Sequence, residues 1–145
     1  MQNAFQAFAR AVGWGTLAGA APYSVLFMIP LAAAGLGEGE FVATAMLFAY
    51  PLVLSGAMVL GSALLFGLPL TFLMSRTGQE HGGAYALAGL LLGAVVPPAI
   101  IWLLAGEVGV AEGLFFAAPG AFAGLVTGTS WGRWREARQA AQDGG

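Results

Sequence analysis

The stretch "GLVTGTSWGRWREAR", residues 124–138, closes the last apolar segment of the chain and sets glycines, two tryptophans and three arginines side by side. Two readings compete for it. A basic patch interleaved with aromatics marks a nucleic-acid interface. Tryptophan followed by arginine is also how a membrane span ends, with the indole at headgroup level and the guanidinium beyond it. The remainder of the chain decides between them.

Charged residues make up 8% of the 145-residue chain and apolar residues 59%, with a mean hydropathy of +0.81. An ordinary soluble domain carries about 25% charge. A soluble fold of this size cannot hide so much apolar surface, so the bilayer is the solvent that suits it. The chain is one domain long. It holds no cysteine, which excludes disulfides, thiolate metal sites and cysteine nucleophiles. Every basic residue is arginine.

A transmembrane helix needs about 20 mostly apolar residues. Four stretches qualify: about 14–35, 51–74, 84–106 and 114–131. The second lies inside the longer uncharged run 41–74. Pro51 suits the first turn of a helix, where its missing N–H is harmless, so residues 41–50 read as a lead-in or interfacial piece. One long tilted helix is the alternative. The motif "LAAAG" at 31–35 has the small residues of a signal cleavage site, but the apolar region before it is too long for a signal core and carries two prolines, which favours retention as a span. Residues 1–12 place Gln2, Gln6 and Arg10 on one helical face and Phe5, Phe8 and Val12 on another, the pattern of a short interfacial helix; a frayed tail is the other reading. Residues 132–145 form a polar tail.

All charges fall outside these spans. Arg10, Arg76, Arg133, Arg135 and Arg138 all lie on one side, while Glu38, Glu40, Glu107 and Glu112 lie on the other. The positive-inside rule then puts both termini in the cytoplasm of a bacterial inner-membrane protein. The opening stretch reads accordingly: Trp131, Arg133, Trp134 and Arg135 are membrane-interface anchors, and nucleic acid is not a partner. The expected fold is an all-α integral membrane protein, a four-transmembrane-helix bundle. Pro30 corresponds to Pro98, "FAYP" 48–51 to "FAAP" 116–119, and Gly56 to Gly124, so two tandem helical hairpins are one reading and biased composition is the other.

Gly120, Gly124, Gly128 and Gly132 recur at i+4 and form one smooth ridge, a glycine zipper. Gly89 with Gly93 and Gly15 with Gly19 repeat the spacing. Lipid tails are as apolar as leucine, so close backbone approach, not burial, joins helices in a bilayer. These eight glycines are the expected helix-packing or oligomer-interface positions. Prolines occur in every span, and the pair Pro97–Pro98 frees the carbonyls of Gly93 and Ala94, which need a partner in lipid. Broken helices line solute sites in transporters. Tyr23, Ser24, Ser55 and Ser62, with Pro97 and Pro98, are the candidate cavity lining.

No Asp, Glu, His, Lys or Arg falls inside a span, so the residues that bilayer enzymes and proton-coupled carriers use at depth are missing. His81 sits in the loop "RTGQEHGG" without metal-site spacing. No catalytic residue, metal or cofactor is expected, and no family motif is carried. Two functions follow. One is a structural or accessory subunit that packs through glycine-rich helix faces against itself or another membrane protein. The other is a small channel or carrier for an uncharged or weakly polar solute.

Overall fold

The computed structural model describes residues 3–35, 41–77 and 81–143. Glu38, Glu40 and Glu80, expected in loops, lie outside the described residues. Helix α1, Ala4–Tyr23, passes through a π-helical turn, Ser24–Met28, into α2, Ile29–Gly35. Helix α3, Phe41–Ser62, passes through a second π turn, Ala63–Gly67, into α4, Leu68–Thr77. Helices α5, Gly82–Ala105, and α6, Val110–Asp143, are uninterrupted. Four helical stretches are long and apolar enough to cross a membrane: Ala4–Ala34, Val42–Arg76, Gly82–Ala105 and Val110–Gln142. The protein is an all-α, multi-pass membrane protein built as a four-helix bundle, with no strand among the described residues.

Local chemistry explains the element ends. The Asn3 side chain accepts from the Gln6 N–H at 2.8 Å while the Gln6 side chain accepts from the Asn3 N–H, a reciprocal cap that starts α1. Residues 4–12 therefore run into the first span as one helix. Gly106 ends α5 in the left-handed region, φ 82°, and its N–H reaches the Trp102 carbonyl at 2.8 Å. The Glu112 carboxylate accepts from the Gly109 N–H at 3.2 Å and lies in the first turn of α6, where the helix dipole favours an anion.

The two π turns share a sequence. "SVLFMIP" at 24–30 and "ALLFGLP" at 63–69 each set proline two residues beyond the turn. A proline ring crowds the carbonyl four residues back. Those carbonyls, of Leu26 and Leu65, lie within the π turns, where the backbone bond runs five residues, from the Ile29 N–H to Ser24 and from the Leu68 N–H to Ala63. The widened turn gives the ring room without breaking the span. Pro51 behaves differently from its expected place in a first turn. Helix α3 starts at Phe41, and Pro51 lies buried in its interior, so residues 41–50 and the following span are continuous.

Neighbouring helices run antiparallel. Helices α5 and α6 pack along their length, α6 packs on α1, and α1 packs on α3. The row is closed only loosely between the second span and α5, which leaves a cleft there. The two hairpins thus pack unlike each other: the second is tight, and the first is held by fewer contacts. Large side chains point outward, as with Leu104 at 82% and Val110 at 83% exposure, while the buried apolar residues are Ala7, Ala11, Ala20, Ala32, Tyr85 and Ala123. That inversion suits a bundle whose outer solvent is lipid and whose contacts rely on small residues.

Candidate functional site

The eight glycines singled out by spacing all lie at helix contacts. A Cβ on Gly89 would meet the Gly124 carbonyl, and one on Gly93 would meet the Gly120 carbonyl; added to Gly120, Gly124 or Gly128, it would meet the carbonyls of Gly93, Gly89 and Tyr85. On Gly132 it would stand 2.8 Å from the Gly82 Cα. The nearest obstacle at each of these glycines is backbone, which cannot swing aside as a side chain can. On α1, Gly15 faces Thr127 and Ala123 of α6, and Gly19 faces Ser55 of α3 and Ala123. Gly13, Gly61 and Gly83 face open space.

Prolines and glycines act together. Pro97 frees the Gly93 carbonyl, and that carbonyl is the group against which Gly120 is pressed. Pro119 frees the Phe115 carbonyl in the same way. Here the Tyr23 hydroxyl donates to it at 3.1 Å, and the Tyr23 and Phe115 rings meet edge-on at 5.1 Å. The Phe115 carbonyl thus finds a partner on the neighbouring helix. Helix α5 passes through Pro97–Pro98 as a continuous helix.

Five further hydroxyls donate to helix carbonyls. Ser55 donates to Thr16 across the α1–α3 contact at 2.9 Å. Thr16, Thr71, Thr127 and Thr129 each donate to the carbonyl four residues back in their own helix. Thr71 also accepts from the Trp131 indole N–H at 3.1 Å, which ties α6 to α4.

The cleft holds about 120 Å³ between α1, the end of α3 with its π turn and α4, α5 and α6. Its wall is mostly apolar: Met58, Val59, Leu68, Leu92 and the glycine contacts of α5 and α6. Of the six candidate lining residues, Ser62 and Pro97 line it; Tyr23, Ser24, Ser55 and Pro98 do not. Trp131 also lines it, with Phe8 edge-on at 6.0 Å. The indole of Trp131 thus serves the bundle. Trp134 stacks on Trp131 at 4.9 Å, and the Arg138 guanidinium lies over the Trp134 ring at 5.3 Å. Arg133 is exposed and Arg135 half-buried.

Sequence reasoning missed Glu136. Its carboxylate accepts from the Gly82 N–H at the start of α5. A carboxylate there satisfies an orphan N–H and the helix dipole together. Nothing local marks it; only the α5–α6 pairing brings residues 82 and 136 together. The shared "LF-x-[IL]-P" of the two π turns is a local signal that the sequence itself carries. No family model, no curated protein and no solved structure matches the chain.

Proposed function

We propose that the chain is a non-catalytic protein of a bacterial inner membrane, with both termini in the cytoplasm, that serves as a structural or accessory subunit packed against a second copy or another membrane protein. The observation that carries this reading is where the polar groups go. A solute path needs donors and acceptors facing it, and the Ser55, Tyr23, Thr16, Thr71, Thr127 and Thr129 hydroxyls instead donate to helix carbonyls. The glycine ridge of α6 is taken up by α5, so the surface left for a partner is the second span. There Pro51 alone is buried among residues 42–76, and Val53 and Leu65 stand 70% and 71% exposed. The orientation rests on the arginines gathered at the end that carries the termini.

A second reading, a small carrier or channel, draws support from the cleft that reaches Pro97. Its apolar wall restricts the guest to an uncharged, largely apolar solute. A photo-crosslinking residue at Val53 or Leu65, activated in the native membrane, separates the two. The accessory reading expects a discrete protein adduct at the second span. Lipid adducts alone, at both positions, would sink it and turn attention to solute flux in vesicles.

A further inference from the structure

On the other flank of the α1–α6 contact, at the arginine-bearing end, a second groove opens. It spans about 580 Å³ and is lined by Ala7, Arg10 and Trp14 of α1 and by Leu125, Val126, Thr129, Ser130, Arg133 and Trp134 of α6. Two positive charges from distant parts of the chain meet there, and no carboxylate lines the groove. Neither Arg10 nor Arg133 is engaged in a hydrogen bond or ion pair with another described residue. Paired cations repel, so a site that gathers them without an acid favours an anion.

We infer that this groove binds the phosphate of an anionic phospholipid. Arg10 and Arg133 supply charged donors, which hold phosphate oxygens better than neutral ones. The Ser130 hydroxyl adds a donor; the Thr129 hydroxyl is already spent on Leu125. Depth selects a lipid over a free anion. Trp14 and Trp134 are amphipathic rings suited to headgroup level, and Leu125 and Val126 continue the groove into the apolar part of α6, where acyl chains lie. A basic pocket between spans is the recognised form of such a site. The site depends on the membrane fold and is independent of whether the chain serves as subunit or carrier.

The test uses the full chain in phosphatidylcholine nanodiscs with a minor share of phosphatidylglycerol, and reads by native mass spectrometry which lipid the released protein retains. The wild type is expected to retain phosphatidylglycerol preferentially. Arg10→Gln and Arg133→Gln each lower that preference about fivefold, Arg133→Lys keeps most of it, and Arg76→Gln, outside the groove, leaves it unchanged. Both groove arginines are exposed, and an unchanged melting temperature for their variants confirms folding. An equal loss in Arg76→Gln would reduce the effect to general surface charge and overturn the site. Full retention in both groove variants would also overturn it. Displacement of the lipid by soluble glycerol phosphate would make a free anion the ligand and reject the lipid assignment.

Discussion

Pro119 has no N–H, so the Phe115 carbonyl loses its helical donor, and the Tyr23 hydroxyl on another helix replaces it. The pairing makes a sharp prediction at the level of single side chains. Tyr23→Phe keeps the ring and its edge contact and removes only the donor. In lipid the carbonyl is then left unsatisfied, at a cost of about 1–3 kcal/mol. Pro119→Ala restores the missing N–H, so the same Tyr23→Phe change should matter far less in that background. Unfolding of the four variants in detergent gives the coupling, and an additive cycle would refute the pairing. At Gly93 the freed carbonyl instead faces Gly120, where any side chain would collide with it. The role of Pro119 is therefore tied to its neighbour helix and cannot be read from its own helix alone.

At the level of helices, α5 and α6 meet backbone to backbone because glycine stands at each crossing point. Side chains there would force the helices apart, and overpacking of this kind costs roughly 1–3 kcal/mol per site when the neighbour cannot give. Gly124→Leu with Gly128→Leu should separate α5 from α6 and lower the melting temperature sharply. Gly61→Leu, placed where nothing lies within 4 Å, should be tolerated. Equal behaviour of the two variants would deny the contact its role. The two π turns belong to the same scale. Each accommodates a proline, Pro30 or Pro69, by a wider turn, so each long span survives as one rod.

The whole molecule is a row of four antiparallel spans, α5, α6, α1 and α3 with α4, loosely closed across a cleft. Antiparallel order gathers Arg10, Arg76, Arg133, Arg135 and Arg138 at one end. Reporter fusions after Gly109 and after Gly145 should accordingly report opposite sides of the membrane, with the one after Gly145 in the cytoplasm. The same side for both would break the four-span topology, and an outside location for Gly145 would reverse the orientation.

Much of the architecture was legible in advance because the bilayer imposes it on composition. A run of about 20 apolar residues must be helical, since no water is present to satisfy an open backbone. Segregated arginine then orders the ends. The glycine spacing of Gly120 to Gly132 was equally legible, because i+4 places residues on one face whatever surrounds them. Partner choice was not legible. That the ridge faces α5, that Tyr23 caps Phe115, that Trp131 turns to Thr71, and that Glu136 caps Gly82 depend on which spans become neighbours. By itself the sequence determined the number of spans, their helical state and the end that carries the charge, because those follow from local transfer of side chains and backbone into lipid. Only the tertiary structure decided which faces meet, where the cleft and the arginine groove open, and which freed carbonyls are satisfied, because in a medium as apolar as the helices themselves the choice of neighbour rests on shape and hydrogen bonds between distant residues.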